Sequence, residues 1–146
     1  MRWVADDDAR RAAVAEHPGA ALVSNELPLR ANLSALENIA LVPQYQRDLG
    51  WDAAAGEAMA LLEQLGCAAC AGKRDSALTH AERFQVKLLR AVVRAPALVV
   101  IERPGYLLPD THYPPFVAAA LAALQGRYGE CTVIDYAWNA PLYPAR

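Results

Sequence analysis

Apolar residues recur along this chain in two ways, as short unbroken runs and as longer stretches spaced for a helix face. Ala20-Ala21-Leu22-Val23, behind Pro18-Gly19, is a run of the first kind and predicts a buried strand. It opens into an irregular segment, 24–33, that contains Pro28. Ser34 is a good N-cap, and the spacing predicts a helix through Leu36, Ile39 and Ala40 that stops near Pro43. A second helix is predicted after Asp52, where Ala58, Leu61, Leu62 and Leu65 share a face and Gly66 suits the C-terminal cap.

Thr79 and Glu82 have the spacing of a capping box, so a helix starts there. Phe84, Leu88, Ala91 and Val92 keep one of its faces apolar until Ala95-Pro96 ends it. Leu98-Val99-Val100-Ile101 is apolar on both faces, which suits a parallel strand covered by helices on each side. Residues 104–115 read as a loop, followed by a helix with Phe116, Val117, Ala120, Leu121 and Leu124. Thr132-Val133-Ile134 is a last strand candidate, and residues 138–146 read as a tail with two prolines, Pro141 and Pro144. Strand, helices, strand, helix, strand predicts an α/β fold with a parallel sheet flanked by helices. Neither an internal repeat nor a low-complexity segment is visible.

Composition narrows the function classes. The 146 residues fit one domain with a real core, and 55% hydrophobic against 21% charged residues is a globular balance. A net charge of −2 argues against nucleic acid or an anionic membrane as a partner held by bulk electrostatics. No apolar run reaches membrane-spanning length, and the acidic start, Met1 to Asp8, is no signal peptide, so a cytoplasmic setting without direct membrane insertion is expected. Three cysteines do not suggest a disulfide framework. Cys67 and Cys70 follow a helix end instead of opening a helix after a strand, and supply half of a zinc shell at most, so they are expected to be small core residues. His17, His80 and His112 are scattered singly, and neither a metal nor a cofactor is expected.

Several blocks together resemble the ABC transporter ATPase family, from about Leu22 to Val133. Asn32-Leu33-Ser34-Ala35-Leu36-Glu37-Asn38-Ile39-Ala40-Leu41 is similar to the segment after the family's Q-loop, L-T-V-x-E-N-V-x-L. Pro43-Gln44-Tyr45-Gln46-Arg47-Asp48-Leu49 continues it in the style of ATPases of Mla/Mce-type lipid transporters. Leu61-Leu62-Glu63-Gln64-Leu65-Gly66 resembles the helix leading to the signature motif, and Arg90-Ala91-Val92-Val93-Arg94-Ala95-Pro96-Ala97-Leu98 the run before the Walker B strand. The resemblance implies an incomplete P-loop NTPase-like sheet with an inserted helical segment. Its parts are N-terminal strands and a degenerate Q-loop in 1–33, the helical segment in 34–77, and the signature helix, Walker B strand and remaining α/β part in 78–146.

The departures fall on the chemistry. The family's phosphate-binding Walker A loop, G-x-x-x-x-G-K-S/T, matches nothing, and the only lysines are Lys73 and Lys87. By the resemblance the chain starts after that loop and its helix. The Q-loop glutamine falls on Asn25. The signature L-S-G-G becomes Leu78-Thr79-His80-Ala81, with Glu82 completing the cap, and His80 and Ala81 add side chains where close backbone approach needs none. The Walker B aspartate falls on Glu102 and the catalytic glutamate on Arg103, which cannot accept a proton. The D-loop aspartate falls on Pro109, beside Asp110, and the switch histidine near Trp138.

These substitutions imply an inactive, interaction or regulatory subunit of a cytoplasmic transporter assembly, with a homodimer, an intact ABC ATPase or a permease as its partner. Through a permease it would lie peripheral to the inner membrane. Two other readings stand beside it: a degenerate signature contributed in trans to a partner's ATP site, and a small-molecule binder built from the loops around Arg103, Tyr106 and Trp138. Loss of the Walker A strand is further expected to leave the 98–101 strand with an open edge, repaired locally by Arg2-Trp3-Val4 or covered by another chain.

Overall fold

In the computed structural model, which describes residues 1–144, four parallel strands form one sheet. β1 (Arg2–Val4), β2 (Ala21–Val23), β3 (Leu98–Glu102) and β4 (Glu130–Tyr136) lie in the order β1-β4-β3-β2. The 98–101 run is therefore an inner strand, with Val99 opposite both Ala21 and Cys131. This corrects the expected open edge. Arg2-Trp3-Val4 does join the sheet, but against Ile134, Asp135 and Tyr136 of β4, not against β3.

Alternation along β3 divides the interior. Val99 and Ile101 face the larger core, shared with the helices α2 (Ala35–Gln46), α3 (Trp51–Leu65), α4 (His80–Val92) and α6 (Tyr113–Ala123). Val100 faces the smaller one, with Val4, Ile134 and Ala13 of α1 (Asp7–Ala15). A strand buried on both faces needs an apolar residue at every position, which is why its sequence reads as an unbroken run.

Most predicted elements appear where the periodicity put them, with boundary changes that have local causes. The expected capping box of Thr79 with Glu82 starts α4, and Ser34, expected as an N-cap, starts α2 and forms a second box with Glu37. Gly66 closes α3 at φ 77°, a conformation that suits glycine. Pro43 does not stop α2; it is buried inside the helix, and its carbonyl accepts from Arg47 N at 3.0 Å. The expected 104–115 loop holds a short helix, α5 (Pro104–Leu107), and α6 already begins at Tyr113, because prolines at the first helical positions favour helix starts. Part of the expected tail is a 3-10 helix, Ala137–Leu142, while Ala145 and Arg146 lie outside the described residues.

α1 has no counterpart in the sequence expectations. Asp6 caps it, its side chain accepting from Ala9 N at 2.8 Å, and Asp7 and Asp8 complement the dipole in its first turn. The start of the chain thus forms a strand, a turn of Ala5 and Asp6, and a helix.

Candidate functional site

Parallel sheets present ligands beyond the carboxyl ends of their strands. Here four segments converge at that end: the turn after β1, the residues following β2, the end of β3 and the end of β4. β3 brings Glu102, whose exposure is 1%, to this point. Arg103 follows in a left-handed conformation, φ 48°, which costs a non-glycine residue energy, and its amide donates to Ile134 O at 2.9 Å.

The charged groups gathered there engage one another. Arg10, projecting inward from α1 at 2% exposure, donates from Nη1 to Glu102 Oε2 at 2.8 Å. Its Nη2 reaches Glu26 Oε1 and its Nε reaches Asp7 Oδ1, each at 3.3 Å. The other oxygen of Glu102 accepts a hydrogen bond from Ser24 Oγ. Glu26 also takes Arg103 Nη2 at 3.3 Å, and the Arg103 guanidinium lies 4.6 Å over the Tyr106 ring. Arg103 Nε is buried with no hydrogen-bond partner among the described residues. Tyr136 donates to Asp7, closing the ring of contacts from β4.

Burial alone would weaken the Arg10 cation, but the hydrogen bond and charge of Glu102 outweigh it and raise its pKa. The hydrogen bond from Tyr136, more than the Arg10 charge, holds Asp7 below the usual carboxylate range. Lys87 of α4 is 3% exposed and, among the described residues, donates only to Ser24 O, at 3.2 Å. Desolvation pulls its pKa down to about 8.

Sequence reasoning had singled out Glu102 and Arg103, and the structure brings them together with a set it had missed: Asp7, Arg10, Ser24, Glu26 and Lys87. Arg10 carried one readable signal. It stands three residues before Ala13 and four before Val14, on the face a surface helix gives to apolar residues.

The other expected positions lie apart from this set. Thr79 caps α4 with Glu82, and Glu82 pairs with Lys73 at 3.2 Å. His80 is exposed and its Nδ1 lies 3.3 Å from Arg83 Nη1, while Ala81 packs at the core margin. Asn25 is exposed between Ser24 and Glu26, and Asp110 is exposed and contacts Thr111. Trp138 is 63% exposed and stacks on Tyr136 at 4.2 Å. Cys67 and Cys70 are buried free thiols, and desolvation pushes Cys67 up to about 12. No group of three or more His, Cys, Asp or Glu residues able to hold a metal occurs among the described residues, and no helix there is long and apolar enough to cross a membrane.

A second buried carboxylate, Asp135, was not anticipated. It is 1% exposed and accepts from Tyr113 OH at 2.7 Å, Tyr143 OH at 2.8 Å, Tyr136 N at 2.8 Å and Asn139 Nδ2 at 3.0 Å. Four donors stand in for a counter-cation and tie the segment after β4 to α6.

No family model matches the chain. The lipoprotein-releasing system ATP-binding protein LolD of Pseudoalteromonas translucida (strain TAC 125) is 38% identical over 76 residues, 52% of this chain and 32% of that protein. A solved dimeric structure of the ATP-binding cassette MJ0796, in a post-hydrolysis state bound to ADP and Pi, matches with a TM-score of 0.64 at 20% identity. That match covers 90% of this chain and 57% of the cassette, so the chain spans about a third of the curated relative and little more than half of the solved one. The four-stranded parallel sheet with its helices has the fold of part of an ABC-type ATPase, and 76 residues of the chain are similar in sequence to a stretch of such an ATP-binding protein.

Proposed function

We propose that this chain is a catalytically inactive ABC ATPase-like protein that acts through protein contacts, as an interaction or regulatory subunit of a transporter assembly. The observation carrying the proposal is the buried Arg10–Glu102 pair. Glu102 stands where the resemblance puts the residue that helps hold magnesium, and its two oxygens are taken by Arg10 and Ser24. Arg103 stands where a proton acceptor is required and carries a permanent cation.

Triphosphate and magnesium fit this site poorly for a second reason. The turn from β1 into α1 is two residues, Ala5 and Asp6, with no glycine to bring backbone amides around a phosphate. The N-cap and first turn of α1 already hold Asp6, Asp7 and Asp8, which repel an anion where a phosphate-binding helix would attract one. The binder reading centred on Arg103 needs an open guanidinium, whereas this one is 9% exposed between Glu26 and Tyr106.

The relatives' names concern lipoprotein release and an ATP-binding cassette, and a transport-linked role for this chain is carried over from them as part of the proposal. The helical segment 34–77 is its proposed contact with an intact ATPase or permease, and Tyr45, 80% exposed, and Trp51, 44% exposed, are the apolar groups it offers. The test has two arms. Calorimetry with ATP and magnesium is expected to show no saturable heat, and affinity capture with Tyr45→Ala, Trp51→Ala as control is expected to retain an ATPase or permease only with the unaltered chain. Micromolar ATP binding would overturn the inactive reading; equal capture by both forms would overturn the assigned surface.

A further inference from the structure

At the carboxyl end of the sheet one buried guanidinium holds two exposed carboxylates. Arg10 Nε donates to Asp7 Oδ1 and Arg10 Nη2 to Glu26 Oε1, each at 3.3 Å. Tyr136 OH adds to the same Asp7 oxygen, and Arg103 Nη2 to the same Glu26 oxygen. All four donors therefore fall on the inner oxygens. Asp7 Oδ2 and Glu26 Oε2 make no hydrogen bond or ion pair among the described residues. Their side chains are 54% and 58% exposed, whereas both arginines beneath them are buried.

An aromatic ring stands at each end of this set. Trp138 stacks on Tyr136, the donor to Asp7, with the ring planes 8° apart. Tyr106 lies over the Arg103 guanidinium and is itself exposed. Contacts run unbroken from Trp138 through Asp7, Arg10 and Glu26 to Tyr106. The charge along this strip is layered in depth. A partner meets carboxylate oxygens and aromatic rings first, while the cations below turn their donors to Asp7, Glu26 and Glu102. Asp6 and Asp8 extend the acidic rim, with Asp8 paired to exposed Arg11 at 3.2 Å. Phosphate, nucleic acid and an anionic membrane are repelled by such a face. So is a second copy across a twofold axis, which would set Asp7 and Glu26 against their own counterparts.

We propose that this strip docks an arginine of a protein partner, its guanidinium between Asp7 Oδ2 and Glu26 Oε2 and its plane against the flanking rings. Two carboxylates held close by one guanidinium gain from a second cation on their free side. Arginine suits the place better than lysine, because its planar fork pairs with carboxylate oxygens and stacks on aromatic faces. Arg10 fixes the two acceptors before the partner arrives, so little ordering remains to be done on binding. The strip adds a second contact to the protein-contact reading. It is tested apart from the first, since its variants leave Tyr45 and Trp51 in place.

A capped triarginine peptide is the probe, titrated at low salt into the unaltered chain, Glu26→Gln and Asp7→Asn. Carbon-detected NMR of the carboxylates and the Trp138 indole signal report the binding. The expected result is saturable movement of Asp7, Glu26 and Trp138, and about tenfold weaker binding by Glu26→Gln at an unchanged melting temperature. Asp7→Asn is expected to weaken binding likewise, and carries the test should Glu26→Gln unfold. Absence of saturation at millimolar peptide, or affinity unchanged in both variants, would overturn the proposal. So would movement confined to Tyr45 and Trp51, which would put the cation on the helical segment. Equal binding of capped trilysine would overturn the choice of a guanidinium, and saturation by capped triglutamate would show that the buried cations set the surface instead.

Discussion

Arg10 and Glu102, 92 residues apart in sequence, close a 2.8 Å ion pair whose side chains are 2% and 1% exposed. A pair this buried is weak evidence for stability in itself, because desolvating both charges offsets most of their attraction. Removing one partner is different. Arg10→Ala leaves Glu102 buried with Ser24 as its remaining partner, and is expected to cost about 3–5 kcal/mol in urea unfolding. Arg10→Met combined with Glu102→Leu is expected to recover most of that loss. If the double variant is as unstable as Arg10→Ala, the pair is not the unit that matters.

The two sides of this pair were unequally legible in the sequence. Glu102 was found because the resemblance puts the Walker B aspartate at that position, at the end of an unbroken apolar run. Arg10 was not, because an arginine among alanines and aspartates looks like any solvated helix residue, and only a contact 92 residues away buries it. The same limit hid the partner of β1, although Arg2-Trp3-Val4 was named as a candidate for the sheet. Three residues carry too little periodicity to declare a strand, and Arg2-Trp3-Val4 becomes one only through the register that β4 supplies. Capping boxes, by contrast, are local hydrogen bonds within four residues, so Ser34 and Thr79 could be read directly.

Lys87 gives a pH-dependent expectation. Its pKa falls from 10.5 to about 8 because burial disfavours the cation. The folded state therefore releases this proton at lower pH than the unfolded state does. Between the two values the unfolded chain binds more protons, and the Lys87 contribution to stability rises with pH. Below about pH 8 the full penalty, on the order of 3 kcal/mol, is present. Lys87→Met removes it, and Ser24 O keeps Leu27 N as a donor at 3.2 Å. The variant should be more stable than the unaltered chain at pH 7, by a margin that narrows toward pH 10. Comparison of the two chains cancels the opposing effect of buried Cys67 and Tyr113, whose raised pKa values favour the folded state less as pH climbs past their unfolded values. A margin independent of pH would show that Lys87 is not held as a strained cation.

Thr79 supplies an expectation for the signature helix. Its Oγ1 accepts from Glu82 N at 3.1 Å, while Glu82 Oε1 accepts from Thr79 N at 3.0 Å. Thr79→Ala should lower stability by about 1 kcal/mol, and Thr79→Ser should not. Hydrogen exchange at the first turn of α4 is expected to quicken in the alanine variant alone. If both variants behave as the unaltered chain does, the cap contributes nothing measurable to the fold.

The connections entering β3 and β4 hold two residues whose backbone demands run in opposite directions. Gly129 N donates to Pro96 O at 2.9 Å, and a Cβ built on Gly129 would sit 2.4 Å from Ala97 O. No rotamer relieves a clash with backbone, so Gly129→Ala must push the two strand entrances apart, at an expected cost of about 1–3 kcal/mol. Ala95, a few residues from that contact, has φ 47°, where a Cβ is strained. Ala95→Gly should gain a few tenths to about 1 kcal/mol, the relief of strain exceeding the added freedom of the unfolded chain. Thermal unfolding of the two single variants therefore should move in opposite directions. A gain from Gly129→Ala would show that β3 and β4 enter the sheet further apart than this register allows.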